Sequence, residues 1–414
     1  MAKSVGRKVY RSNVNDRKKK ARKAAKVVLV IIVLAALGFL GYCIANPVFE
    51  YLGKRGEGNS VADGTKPWTP PVLQEGEDEG EENPENNAAD NSDQRSPASD
   101  EERKKPGAGR FSAYRLPVSA LASTTTLAEA LSSAKEGGYT AVIAVLKDKG
   151  GKIYYHTDSE MAKSDETALA GSMAAGQICG MIKSAGFTPI AELNLLEDNN
   201  RYGERRNGSY HFASDNSTWL DNSVANGGKP WLSPFDTETQ SYAAYLSNEA
   251  ASAGFEYIVF DGLTFPNFRN SDLTHIGAIV QSPDRYKALV NIENISAGAS
   301  GPNGSASIVM TSAADIIGGT EEIFKPAELS SEIIAVTYDP AEFGGTMIIG
   351  GQEIALSDLT VYETAETVFA EVMRLAGNDK AIIPAVKQSD FSQSDFNDVI
   401  SAAISLGLDS YIIM

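Results

Sequence analysis

The chain has 414 residues, 22% of them charged, with a formal net charge of −17. That acidity excludes a whole-protein nucleic-acid binder, which needs a positive surface to hold phosphates. Only two cysteines are present, Cys43 and Cys179, far apart in the chain, so a disulfide-stapled scaffold is excluded as well.

The charge is not evenly spread. Residues 1–26 hold 11 Lys/Arg and one Asp, about +10, so the remainder carries about −27. The segment VVLVIIVLAALGFLGYCIA follows at 27–45, with no charged side chain. At 1.5 Å per residue it spans about 28 Å, close to the thickness of a bilayer core. The preceding RKKKARKAAK is the positive flank that stays cytoplasmic. The run is long for a signal peptide, and bulky PVFEYL follows where a small-x-small cleavage site would stand. The expectation is a single-pass anchor with a cytoplasmic N-terminus and the bulk of the protein outside the cell membrane. Residues 46–110 read as an acidic low-complexity linker, because GEDEGEENPENNAADNSDQ offers almost no apolar surface to offset its ordering entropy.

From residue 111 short apolar runs alternate with helical patterns. FSAYRLP (111–117) reads as a strand and TLAEALSSAKEGG (126–138) as a helix stopped by glycine. Strand YTAVIAVLK (139–147), helix 167–186 and strand FTPIAELNLL (187–196) come next. Helix 237–254 leads to strand FEYIVFD (255–261). The stretch 282–299 is read as a helix, although KALVNI within it would also pass for a strand. SASIVMTSA (305–313) and IIAVTYDP (333–340) are strands, and GGTMIIGGQ suggests a hairpin. Helix 362–377, strand 380–387, helix 395–407 and the terminal strand SYIIM close the chain. Continuous apolar strands joined by crossovers are the mark of a parallel sheet buried on both faces. Eight such units in about 300 residues predict a closed (β/α)8 TIM barrel, with an open doubly wound sheet as the other arrangement. No glycine-rich dinucleotide fingerprint, P-loop, HExxH or GxSxG motif is present. The three histidines are scattered and no EF-hand loop occurs, so neither a metal nor another cofactor is expected.

In such a barrel the chemistry gathers at the C-terminal ends of the strands. Those ends carry Lys147 and Asp148; Glu192, with Glu197, Asp198 and Arg201 beyond it; Asp261; Asp315; Tyr338 and Asp339; and Lys387 with Asp390. An acid-rich rim suits glycosidic hydrolysis, which needs a proton donor and a carboxylate on either side of the scissile bond. Asp261 stands first, because YIVF supplies an apolar approach that would desolvate it. Glu192, Asp339 and Asp198 are the other catalytic candidates. By the period of two, Glu192 shares a strand face with Ile190 and Asn194 and would point into the barrel. The bland reading is that aspartates after strands cap the next helix. Lys147–Asp148 has its own bland reading as the corner of a glycine turn in VLKDKGGKIYY, and Glu293 is structural if its segment is helical. Sugar-facing candidates are Lys147, Asp148, Trp219, Trp231, Tyr338 and Lys387. Residues 199–236 form a long polar loop holding two tryptophans, a candidate wall for an extended polar ligand.

Four of these segments carry a resemblance. VIAVLKDKGG (142–151), AELNLLED (191–198), WLSP (231–234) and IVFDGLTFP (258–266) follow one another as in a bacterial family of (β/α)8 barrels described as glycosyl hydrolases. Lys147, Asp148, Asp198, Trp231, Pro234, Asp261, Phe265 and Pro266 match the family pattern. Ala144 stands where the family has aspartate, and Glu192 and Thr264 where it has arginines. The resemblance implies a barrel over 111–414 and a polysaccharide or peptidoglycan-like glycan as partner; the net charge adds no nucleic acid, and the N-terminal apolar run adds membrane attachment. The altered strand ends leave a second possibility, a barrel that binds glycan or an envelope protein without cleaving it.

Overall fold

The computed structural model describes residues 110–163, 169–199, 208–276, 285–318 and 328–414. The basic arm, the anchor and nearly all of the acidic linker lie outside the described residues, as do Arg201 and Tyr202. Among the described residues no helix is long and apolar enough to cross a membrane.

Eight parallel strands close into a barrel. In spatial order they are β1 (Ser112–Arg115), β2 (Ala141–Lys147), β3 (Thr188–Asn194), β4 (Tyr257–Asp261), β5 (Ala306–Ser312), β6 (Ile333–Thr337), β9 (Ala381–Val386) and β10 (Tyr411–Ile413), which pairs back to β1. The predicted hairpin is present outside the barrel as β7 (Thr346–Ile349) and β8 (Gln352–Ala355). The helices are α1 (Thr124–Glu136), α2 (Glu160–Lys163), α3 (Ala175–Ser184), α4 (Thr237–Ser252), α5 (Asn270–Ile276), α6 (Tyr286–Ser300), α7 (Ala313–Gly318), α8 (Val361–Ala376) and α9 (Gln393–Ser405).

Local chemistry starts these helices where it should. Ser123 and Thr126 form a capping box at α1, Thr360 and Glu363 another at α8, and Asp236 accepts from two backbone N–H groups at α4. Leu127, Leu131 and Ala134 of α1 recur at helical spacing and are all buried against the sheet. The expected helix 167–186 differs, since its helical part begins only at Ala175. Residues before it run extended instead, with bridges Ile153↔Leu169 and His156↔Ala174. Gly171 permits that approach, since a Cβ there would lie 2.0 Å from the Tyr154 carbonyl carbon. Pairing with residues 153–156 overrides the helical propensity of this alanine-rich stretch.

The strands sort their side chains by the period of two. Ala113, Ile143, Ile190, Val259, Ile308, Ala335, Ile383 and Ile412 fill the barrel interior. Val142, Ala144, Leu193, Ile258, Val309 and Ile334 face the helices. One irregularity breaks the alternation. A bulge between Val145 and Lys147 sets Val145 opposite Glu192 but Lys147 opposite Leu193. The extra residue turns Lys147 from the inner face to the helix side.

At the opposite rim Glu293 of α6 is fully buried, which fits its helical reading. Its carboxylate accepts from Ser330 N at 3.1 Å, Ser330 Oγ at 2.8 Å, Ser331 N at 3.0 Å and from Ser331 Oγ. Lys380 at the start of β9 donates to the Ser331 carbonyl at 2.9 Å. One carboxylate thus fixes the entry to β6. Glu293→Ala leaves those donors unpaired and should lower unfolding stability by on the order of 3 kcal/mol. Urea unfolding followed by circular dichroism checks this, and an unchanged midpoint would show that β6 enters the sheet without the staple.

Candidate active site

The alternation carries polar side chains to the C-terminal mouth. Arg115 lies on the same face of β1 as Ala113, and Glu192 and Asn194 on the face of Ile190 in β3. Asp261 ends β4, where it pairs in register with Asn194. This is why a carboxylate closes the apolar run YIVF: the run forms the wall, and Asp261 emerges half-buried at its lip.

Glu192 points inward as expected but is fully committed there. Its two oxygens accept from Arg115 Nε at 2.7 Å and Nη2 at 2.6 Å, and its side chain is 1% exposed. Burial pushes the Glu192 carboxyl above its ordinary range against the opposing hydrogen bonds and charge of Arg115, while Asp261 adds to the rise. Those same bonds raise the Arg115 guanidinium. A bidentate pair of this kind is a structural clamp across the mouth, and it engages both Glu192 oxygens. Arg115 was absent from the candidates read in the sequence. The signal was present in FSAYRLP, where Arg115 shares the parity of Phe111 and Ala113, both interior residues.

Asn194 joins the Asp261 carboxylate to the backbone of Glu197. Its Nδ2 donates to Asp261 Oδ2 at 3.3 Å, and its Oδ1 accepts from the Glu197 backbone N at 3.0 Å. Gly262 makes room for this carboxamide, since it has φ +66° and a Cβ on it would stand 2.3 Å from Asn194 Oδ1. The glycine after Asp261 is therefore a packing requirement of the site. Glu197 is half-buried just beyond β3. Burial pushes its carboxyl up, and the neighbouring charge of Asp261 pushes it further, against Lys149, Lys147 and Lys229.

Lys147 and Asp198 do not face the mouth. Both are 1% exposed, paired at 3.3 Å on the helix side of the wall, where the β2 bulge turns Lys147. The ammonium also donates to the Asn194 carbonyl at 2.7 Å and the Glu197 carbonyl at 3.4 Å, and lies 5.9 Å from the ring centre of Tyr242 on α4. Lys147 holds the turn that presents Asn194 and Glu197, and Asp198 is its counter-ion, so both candidates lie in the wall and not on the open rim.

Asp148 is a turn residue near the mouth, where its charge acts on Arg115 and Glu192, and it accepts from Gly150 N at 2.8 Å, Lys152 N at 2.9 Å and Tyr154 Oη at 2.7 Å. Several other candidates are placed elsewhere. Asp339 caps the turn Pro340–Phe343 through Ala341 N at 2.8 Å. Tyr338 is buried between the rings of Phe369 and Phe391, with centroids 5.2 and 6.1 Å away. Trp219 is fully buried against Tyr210 and Phe268 and so braces the long loop from within. Lys387 pairs with Asp390 at 2.7 Å on the exposed rim. Trp231 alone of the two loop tryptophans keeps part of its surface open. Among the described residues no group of three or more His, Cys, Asp or Glu is arranged to hold a metal ion.

Residues 114–299 match a family model described as "Putative glycosyl hydrolase domain". The chain resembles that family. The match runs from β1 to the end of α6 and takes in Arg115, Glu192, Asn194, Glu197, Trp231 and Asp261. Among solved structures, the glycoside hydrolase domain of PgaB (BpsB) from Bordetella bronchiseptica is similar over 74% of this chain and 94% of its own, at 14% identity and a TM-score of 0.52. That likeness is one of fold. A hypothetical protein from Ruminiclostridium thermocellum ATCC 27405 aligns over 47% of this chain and 96% of its own, at 16% identity and a TM-score of 0.39. No curated protein matches the sequence. The glycosyl-hydrolase-like domain therefore carries its polar mouth on a barrel shared with glycoside hydrolases.

Loss of Lys147 would remove the counter-ion of the buried Asp198 carboxylate. Lys147→Met should cost about 3–5 kcal/mol, the usual result of removing one partner of a buried ion pair. Adding Asp198→Leu should restore part of that loss, and a double-mutant cycle by chemical denaturation reads the coupling. Additive losses would contradict the pairing.

Proposed function

We propose that this protein is a membrane-anchored glycoside hydrolase that cleaves an envelope or extracellular polysaccharide at the barrel mouth. Asp261 and Glu197 are its carboxyl pair. The observation that carries this reading is the Asp261–Asn194–Glu197 link, beside which burial first and the Asp261 charge second push the Glu197 carboxyl up. A carboxyl of raised proton affinity beside a second carboxyl suits the division of labour that glycosidic hydrolysis requires. Glu197 donates its proton to the departing glycosidic oxygen. Asp261, as carboxylate, stabilises the positive charge that develops at the anomeric carbon. Asn194 keeps the two in register, and the Arg115–Glu192 clamp holds the floor between β1 and β3. The family description supports this chemistry. The basic arm and the apolar segment 27–45 support the anchor and an extracytoplasmic barrel.

A binding protein that cleaves nothing is the second reading. It is favoured by the commitment of Glu192 to Arg115, which removes one acid from the mouth. A panel of envelope polysaccharides incubated with the full-length protein, with reducing ends measured, separates the two. Asp261→Asn should abolish product while the melting temperature stays unchanged. Glu197→Gln should lower kcat by about 10²–10⁴-fold on substrates with poor leaving groups. Because Glu197 acts protonated and its pKa is raised, activity should persist above the ordinary Glu range and fall as pH rises through that raised value. The Gln variant should lose this basic limb. Full turnover by Asp261→Asn would sink the assignment.

A further inference from the structure

Beside the acid pair lies a cavity of about 360 Å³ to which the proposed chemistry gives no role. Its walls come from the long β3–α4 loop and from the segment after β4, and include Asp221, Asn222, Asn226, Lys229, Trp231 and Asn267. It shares an edge with the mouth. Trp231 forms an antiparallel bridge with Glu197, and Leu232 N donates to Leu196 O at 2.9 Å alongside it. Residues directly opposed in such a bridge project to the same side with Cβ atoms about 5 Å apart. The indole therefore stands next to the side chain of the proposed proton donor.

The indole is also held in a fixed pose. Its Nε1 donates to Asp221 Oδ2 at 3.2 Å, and Asp221 Oδ1 accepts from Lys229 N at 2.7 Å. With its polar edge tied down and its ring half-buried, what remains for a ligand is the flat apolar face. Around it the carboxamides of Asn226 and Asn267 are exposed, each offering both donors and an acceptor. A pyranose with equatorial hydroxyls has the complementary shape, with a C–H face to stack on the ring and a rim of hydroxyls that both give and take hydrogen bonds. Residues 110–414 hold 19 Lys/Arg against 38 Asp/Glu. That excess of negative charge repels a polyanionic glycan, and the single acid and single base lining the cleft, Asp221 and Lys229, give it no net charge to pair with a cationic one.

We propose that this cleft is a binding subsite for a neutral pyranose unit adjoining the bond to be cut. Trp231 is its platform, and Asn226 and Asn267 are its hydroxyl partners. The protein would then take oligosaccharides that reach past the acid pair along the β3–α4 loop. The inference rests on the glycan reading above, and its test is chosen to fail separately from it.

The full-length protein carrying Asp261→Asn is titrated with cellohexaose, mannohexaose, maltohexaose and N-acetylchitohexaose, and binding is read by calorimetry and tryptophan fluorescence. At least one should bind and perturb Trp231 emission. Trp231→Ala should weaken that probe by about tenfold, the equivalent of one aromatic contact. Trp231→Phe should retain most of the affinity. Asn267→Ala alters only an exposed side chain and should weaken binding several-fold in a protein of unchanged melting temperature. Failure of all four probes to bind, or unchanged affinity in both Trp231→Ala and Asn267→Ala, overturns the subsite. Product from the wild type with unchanged affinity in those variants removes the subsite and keeps the hydrolase. Affinity lost in them with no product from the wild type does the reverse.

Discussion

Every second side chain of a closed barrel strand must point inward, and the mouth of this protein follows from that constraint. The interior below is filled by alanine and branched aliphatic side chains. The last inward positions of β1, β3 and β4 are Arg115, Asn194 and Asp261, with Glu192 one layer down. Polar groups here have water on one side and a dry floor on the other. Such a setting allows them to be charged while strengthening their mutual interactions. The bidentate pairing of Glu192 with Arg115 satisfies the deepest carboxylate, and the shallower Asp261 accepts from the Asn194 carboxamide.

The exception to the alternation is as informative as the rule. One added residue in β2 sends the Lys147 ammonium through the wall to the helix layer, where it meets Asp198 and three oxygen partners in all. A buried ammonium is tolerable only when so surrounded. In return it ties the exit of β3 to β2 and so sets the height at which Asn194 and Glu197 stand. On the far rim Glu293 plays the corresponding part for β6. The fold uses buried charge as cross-linking at both ends, and the less buried acids remain at the mouth.

The loop between β3 and α4 adds the third component. Trp219 is turned inward to hold the loop together, while Trp231 is turned to the cleft with its indole edge fixed by Asp221. Two tryptophans of one loop thus have opposite roles, one cohesive and one presenting a surface. The backbone bridge between Trp231 and Glu197 joins that surface to the rim of the barrel. Arg115, Glu192, Asn194, Glu197, Trp231 and Asp261 all lie within the family match.

The amino-acid sequence by itself determined the order of elements, the parallel barrel and the position of Asp261 at the end of an apolar strand. These follow from periodicity, turn chemistry and the apolar runs, which are local and additive along the chain. It also determined that Glu192 faces inward, by parity with Ile190. Only the tertiary structure decided which charges meet. Arg115 and Glu192 are 77 residues apart and Lys147 lies 51 residues before Asp198, so no local pattern announces either pair. A one-residue bulge reverses a side chain without leaving a mark in composition, which is why Lys147 reads as a rim residue and is found in the wall. Glu197 lacked the apolar approach that singled out Asp261; its raised proton affinity arises from burial by other segments and from the Asp261 charge, both of which exist only once the barrel has closed.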